Sequence, residues 1–386
     1  MAPAPKKGGK VESRMGRPAK GALSTYAPVL VQRIKDLRMA NPGWGAQTIL
    51  IELETVYGYA AVALPSIAAV NRFLKQAGLV KANEPHGRLP KTRCAAPQVV
   101  HELWEMDAQG AVQVSGLGYQ VMINIKDSLS KKYCMAFPIP VRHTLCAPTF
   151  THYQWACRMG FLESGMPQAI QVDKDSVFYE NTTKSPYPTH LHLWLISLGV
   201  KLCIINSRPP HKQAMVERSH QTIERQALQG QHFPYWKVLF SHCNERRQRL
   251  NENIPSRSLD HMAPLQAFPQ ARHSGRPFCL EKEYDLVMLE RIYEFLALGQ
   301  WYRRTSKNKM VSLGGQRYYL KNATPHSQLQ ITFCKQTRQF IFRDVNEQII
   351  DQQPPKGLSK QEIIGVKSVK LKTTHQKLLR GNDFCL

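Results

Sequence analysis

Long apolar runs are missing from this chain. Across 386 residues nothing approaches the roughly 18 uninterrupted apolar residues that a membrane-spanning helix needs. The best candidate, Leu191 to Ile205, is broken by His192, Ser197 and Lys201. The first residues are rich in Pro, Gly and Lys with no apolar segment behind them, so no secretory leader is expected. Cysteine pairs at metal or redox spacing are missing as well. The nine cysteines include no Cys-x-x-Cys and no Cys/His cluster of zinc type, which reads as reduced thiols in a cytoplasmic protein. Acidic residues are scarce: 28 Asp and Glu stand against 52 Lys and Arg, a net charge of +24. Such an excess suits a polyanionic partner, most commonly nucleic acid; the plain alternative is a soluble protein with solvated basic faces.

What is present falls into segments. Residues 1–24 hold six Lys and Arg, one Glu and no apolar periodicity, a basic flexible arm in which Arg17, within Gly16-Arg17-Pro18, could lie in a DNA minor groove. From residue 25 to 82 the spacing predicts three short helices. Val29, Leu30, Ile34 and Leu37 recur at helical steps, a second helix covers Ala46 to Val56, and a third starts at Pro65-Ser66 and stops at Gly78. That is a helix-turn-helix arrangement, whose last helix would present Ser66, Asn71, Arg72 and Lys75 to a groove; a small helical bundle with a polar face is the other reading. Residues 83–100 read as a linker.

Between residues 101 and 250, strand-like and helical stretches alternate. Strands are expected at Leu103–Met106, Tyr119–Ile125, Cys134–Ile139, Ala169–Val172 and Lys201–Ile205, with helices at Pro148–Met159, at Thr189–Leu198 and from Gln213. This β-β-β-α-β-α-β-α order is that of a ribonuclease H-like mixed sheet. Three acids occupy comparable places in it: Asp107 after the first strand, Asp173 after the fourth, and Glu217 in the first turn of the last helix. Glu224 on that helix is the competing carboxylate, and Asp127 reads as a turn cap. Phosphodiester chemistry gives three acids a use, because a pair of hard divalent ions about 4 Å apart needs carboxylate oxygens. In Val172-Asp-Lys-Asp-Ser176 the spacing alone leaves Asp173 and Asp175 both open as the ligand.

The strings Trp104-Glu-Met-Asp107, Ile125-Lys-Asp-Ser-Leu-Ser130, Val172-Asp-Lys-Asp-Ser-Val-Phe178, Leu198-Gly-Val200, Arg208-Pro-Pro-His-Lys-Gln-Ala-Met-Val-Glu-Arg218 and Asn244-Glu-Arg-Arg247 resemble, in order, the motifs of the retroviral-integrase-core DDE superfamily. Bacterial insertion-sequence transposases are the nearer likeness, since there a helix-turn-helix unit precedes the core; Asn41-Pro-Gly-Trp-Gly45 is similar to them too. The resemblance spans about residues 28 to 280. It implies Asp107, Asp173 and Glu217 as catalytic metal ligands, two Mg2+ or Mn2+ ions per site, and DNA cleavage and joining. It also implies self-association into at least a dimer on paired DNA ends, and a cytoplasmic, nucleoid-associated location.

Anchored on Ser176 and Phe178, the family's aspartate falls on Asp173 and its glycine on Asp175, so a left-handed backbone is expected at Asp175. The interval from Asp173 to Glu217 is longer than the family's habit, and Tyr179 to Pro188 reads as an inserted surface loop. His220, one turn beyond Glu217, is expected to pack, to face DNA or to support a ligand from behind. His211, Lys212, Arg218 and Arg225 are candidate phosphate contacts around the cleft.

Past a connector at 251–290, short strands from 291 to 354 suggest a small β-barrel, with Arg303, Arg304, Lys307 and Lys309 as DNA contacts, and 355–386 reads as a basic tail. Residues 291–386 hold seventeen Lys and Arg against six acids. The whole reads as a multidomain α/β protein and a DNA transposase acting on double-stranded DNA. A DNA-end-binding protein without catalysis, and a nuclease without strand transfer, are the rival readings.

Overall fold

The computed structural model describes residues 21–41, 44–80, 96–205 and 220–365. Arg17, His211, Lys212, Glu217 and Arg218 lie outside them. The chain divides into two compact units, Met1–Glu84 and Pro85–Leu386.

In the first unit, α1 (Pro28–Ala40), α2 (Ala46–Thr55) and α3 (Ile67–Gln76) enclose a small core of Leu30, Ile34, Ile49, Leu53, Val70 and Leu74. Proline at the first position starts α1, where its missing N–H goes unused. Ser66 starts α3 as its N-cap: its hydroxyl accepts from the Ala69 amide at 3.3 Å.

The second unit is mixed α/β. Its main sheet runs β2-β3-β1-β5-β6, with β4 pairing off β3. The strands are β1 (Leu103–Ala108), β2 (Val112–Val114), β3 (Gly118–Asp127), β4 (Tyr133–Pro140), β5 (Ala169–Val172) and β6 (Lys201–Ile204). β1 lies antiparallel to β3 and parallel to β5, and β5 is parallel to β6. The helices α4 (Phe150–Ser164) and α5 (His190–Ser197) supply the connections that parallel strands require. Long apolar runs suit strands covered on both faces, and Trp104, Met106, Ile123, Ile125 and Ile170 are buried.

Asp127 is fully buried and caps a turn: His101 and Ser130 donate their amides to it at 2.7 and 2.8 Å. Cys203, on β6, is disulfide-bonded, against the expectation of reduced thiols throughout. The six other described cysteines are free. Pairing depends on what the fold brings close, which cysteine spacing did not show.

Two further expectations fail at the C-terminal end. The strands β7 (Gln300–Arg304), β10 (Gln328–Cys334), β11 (Gln339–Arg343) and β12 (Ile349–Gln353) form an open four-stranded sheet, and β8 (Met310–Leu313) with β9 (Gln316–Tyr319) a separate hairpin, so the sheets do not close into a barrel. The second concerns Tyr179 to Pro188, which is surface loop only in its first part, with Asn181, Thr182 and Lys184 exposed. Ser185, Pro186, Tyr187 and Pro188 are buried. Tyr302 and Trp301 donate to Ser185 Oγ at 2.8 Å and to the Pro186 carbonyl at 2.9 Å. The segment is the strap that binds sheet to core, and one hydrophobic cluster runs from Trp104 and Phe161 through Tyr187 to Trp301 and Phe340. Gly314, at φ 57°, is pressed onto the strap: a Cβ there would stand 2.6 Å from the Tyr187 ring.

Burial also sets an acid limit on this unit. His192 on α5 is enclosed beside the Phe295 ring, and burial lowers its pKa to about 4. Burial lowers His101, His152 and His190 likewise. A histidine depressed in the folded state contributes no penalty above its ordinary value near 6.5, then destabilises as pH falls, because the unfolded chain takes the proton first. Stability to urea is therefore expected to fall between pH 6.5 and 4, by up to about 1.4 kcal/mol per unit for His192. Urea melts of His192→Phe across that range should show a shallower loss.

Candidate active site

β1 and β5 end side by side at the middle of the sheet. Their register pairs Leu103 with Ala169, Trp104 with Ile170 and Glu105 with Gln171. The ladder stops there: β1 runs on through Asp107 to Ala108, and β5 ends at Val172 with Asp173 next, so each acid comes two residues after the last paired residue of its strand. Adjacent strands lie about 4.8 Å apart, close enough for two carboxylates to share cations. In open α/β sheets ligands gather outside the carboxyl ends of parallel strands, and β1 and β5 are such a pair.

The Asp107 carboxylate is oriented by two donors. The Ala108 amide donates to Oδ1 at 2.9 Å, and His220 Nε2 lies 3.1 Å from Oδ2. His220 is itself buried and meets the Asn124 side chain at 2.7 Å. From the other side comes Tyr153 on α4, stacked edge-on to Phe178 at 4.8 Å. Burial first, then the charges of Asp107, Asp175 and Asp173, push its hydroxyl above the usual tyrosine range. The phenol thus feels the charge of all three carboxylates and resists giving its proton up. Sequence reading had missed both Tyr153 and Asn124. A polar Asn124 between Ile123 and Ile125, in a strand otherwise buried, was the available signal.

Asp175 plays a different part. Its Oδ1 accepts from the Val177 amide at 2.9 Å and the Ser176 hydroxyl at 3.2 Å, while its carbonyl accepts from the Phe178 and Tyr179 amides. It does not have the left-handed backbone expected of a glycine replacement, being absent from the described non-glycine residues at positive φ. An Asp carboxylate can close a turn on its own backbone, which removes the need for glycine. Lys174 points its ammonium over the Tyr179 ring, 4.6 Å from the centroid.

Among the described residues, no three His, Cys, Asp or Glu side chains form a ready metal cage. Asp107 and Asp173 are two hard oxygen donors of the kind a divalent ion takes, and Glu217, the expected third, lies outside the described residues. Glu224, the competing acid, sits in a π-turn (Glu224–Leu228) and accepts from Gln109 Nε2 at 2.7 Å, two residues beyond Asp107. Beside it a polar groove of about 720 Å³ opens between β2 and the segment from Gln221 to His232, and Arg225 lines it.

The expected DNA contacts divide. Arg225, Arg304 and Lys307 are exposed, as are Asn71, Arg72 and Lys75 on α3. Ser66 is exposed too, though its hydroxyl is engaged as a cap. Lys309 is half-buried and donates to the Lys321 carbonyl at 3.0 Å. Arg303 is a strut: its guanidinium donates to the Ser312 carbonyl at 3.1 Å and the Ser185 carbonyl at 2.6 Å, and pairs with Glu180 at 3.3 Å. Five donors in a rigid fork suit it to clamping the strap to the sheet, which leaves little to offer a phosphate. Arg303→Ala is therefore expected to lower the melting temperature without changing the salt dependence of DNA binding. The pair Arg304→Ala and Lys307→Ala should do the reverse, reducing the slope of log K against log salt by about one to two units. Thermal melts and fluorescence anisotropy at several salt concentrations separate the two.

No protein-family profile matches the chain. Among solved structures, it is similar to the simian T-cell lymphotropic virus intasome in complex with PP2A regulatory subunit B56 gamma: 12% identity, 84% of this chain and 96% of that one, TM-score 0.34. A second likeness is to the HTLV-2 integrase catalytic core domain in complex with magnesium, at 13% identity over 43% of this chain and 94% of that one, TM-score 0.30. The BIV integrase catalytic core domain gives 13% identity, 44% and 95%, with a TM-score of 0.30. At these values the likenesses carry no weight for function; the carboxylates must.

Proposed function

We propose that this chain is a DNA transposase of the integrase-core DDE type, which binds the ends of a mobile element and cuts and joins DNA strands with Mg2+ or Mn2+. What supports the reading most is that Asp107 and Asp173 each come two residues after the last paired residues of β1 and β5, which run parallel as neighbours. Asp107, Asp173 and Glu217 would hold two ions, which activate an attacking oxygen and take up charge on the leaving one. The chain's other residues orient and position. His220 and Ala108 fix the Asp107 carboxylate, Tyr153 closes the site from α4, and the Asp175 turn holds the backbone after Asp173. Arg225 and its groove would receive a strand beside the site; Asn71, Arg72 and Lys75 would read duplex DNA in the manner of a helix-turn-helix unit. Two ends joined in one event call for at least two protomers.

The net charge of +24 supports a nucleic-acid partner but does not separate a transposase from an inactive end-binding protein or from a nuclease. The paired aspartates favour chemistry over binding alone. Labelled duplexes taken from the DNA flanking the coding sequence, incubated with plasmid and Mg2+ or Mn2+, separate all three. A transposase gives joined products; cleavage without joining would indicate the nuclease, and retention of the duplex without either would indicate the binding protein.

A further inference from the structure

Asn124, His220 and Asp107 form a one-directional hydrogen-bond chain that starts inside the sheet and ends on the proposed metal ligand. Asn124 on β3 stands directly across the antiparallel ladder from Asp107 and is fully buried. Its side-chain nitrogen lies 2.7 Å from His220 Nδ1, and His220 Nε2 lies 3.1 Å from Asp107 Oδ2. An ionised carboxylate only accepts, so Nε2 must carry the hydrogen it shares with Oδ2. The Asn124 amide nitrogen only donates, so Nδ1 is the acceptor it meets. The ring is held in one orientation by a buried strand residue on one side and the Asp107 carboxylate on the other.

We infer that His220 is a positioning residue for the metal site, set by Asn124 to hold the Asp107 carboxylate in place while leaving its charge available to a cation. This rests on the reading of Asp107 as a metal ligand. A ring N–H orients the carboxylate by one hydrogen bond to one oxygen. Lysine or arginine at the same place would compete with the metal for the same oxygens. With Ala108 N–H on Oδ1 and His220 N–H on Oδ2, each oxygen keeps a lone pair, and the carboxylate plane is fixed before an ion arrives.

Mn2+ binding to the full chain without DNA, followed by electron paramagnetic resonance or calorimetry, tests the inference by a readout that does not need catalysis. Wild type, Asp107→Ala, His220→Ala, His220→Gln and Asn124→Leu are compared, each with a thermal melt in chelator. His220→Ala is expected to weaken Mn2+ about 10-fold or more. His220→Gln, which retains an N–H donor, should recover most of that affinity, and Asn124→Leu should weaken Mn2+ in the same sense as His220→Ala. Should the alanine variant not fold, the glutamine and leucine variants decide. Mn2+ affinity unchanged in His220→Ala and Asn124→Leu, while Asp107→Ala loses binding, overturns the positioning role and spares the metal site. Unchanged binding in Asp107→Ala removes the metal-site reading itself, and this inference with it.

Discussion

Replacing Asp107 by Asn is expected to lower strand transfer by about 10³-fold or more while DNA binding and melting temperature stay near wild type. Its carboxylate lies at the end of β1 with 38% of the side chain exposed, so the fold does not depend on its charge as it does on that of buried Asp127. The expected loss comes from what the charge holds. Stabilisation of a phosphodiester transition state by bound metal is worth several kcal/mol, and about 4 kcal/mol corresponds to about 10³ in rate. Asparagine matches the carboxylate in size and keeps one oxygen, so one of the two donors, Ala108 or His220, retains its acceptor while the charge is removed. A variant that lost DNA binding in parallel would place Asp107 in the DNA interface instead.

The second large effect is on stability. Arg158 on α4 and Glu283 are both fully buried and paired: Nε and Nη2 donate to the carboxylate at 2.9 to 3.1 Å, and Trp194 Nε1 donates to the same carboxylate at 2.8 Å. Arg158 Nη2 also donates at 2.8 Å to the Ile364 carbonyl, in the helix Lys360–Ile364. Removing one partner leaves the other charge buried and unmatched. Arg158→Met should therefore destabilise this unit by about 3–5 kcal/mol in urea melts. Adding Glu283→Met to that variant should restore much of the loss, because two apolar side chains need no charge partner. If the single change costs less than about 1 kcal/mol, the pair is not the node the geometry indicates.

The mixed sheet was legible in the sequence because buried strands leave a plain trace. Ala169–Val172 and Leu103–Met106 are mostly apolar stretches, broken once each by Gln171 and Glu105, that stop at an acid, and the observed strands fall where they lie. Choosing Asp173 over Asp175 needed the resemblance, since both are carboxylates after one strand; the turn made by Asp175 now gives it separate work. What remained hidden depends on contacts between distant segments. β2 is three residues long, too short for a period. The strap at 179–188 contains the polar and proline residues of a surface loop, and only β7 and Gly314, more than a hundred residues away, turn it into core. Arg303 read as a DNA contact for the same reason: a lone arginine gives no sign of whether it meets phosphate or carbonyl oxygens. His220 and Asn124 lie on separate elements, and a hydrogen bond between them has no sequence period at all.

The central claim is that Asp107 and Asp173 together hold metal for DNA strand joining, with Asp175 a turn residue. Strand transfer of a labelled, pre-cleaved element end into plasmid DNA, with Mg2+ or Mn2+, tests it most directly when Asp173→Asn and Asp175→Asn are run beside wild type. The account predicts joining by wild type, none by Asp173→Asn, and joining retained by Asp175→Asn, because asparagine can close the same turn through its own oxygen. Joining lost through Asp175→Asn and kept by Asp173→Asn would contradict it.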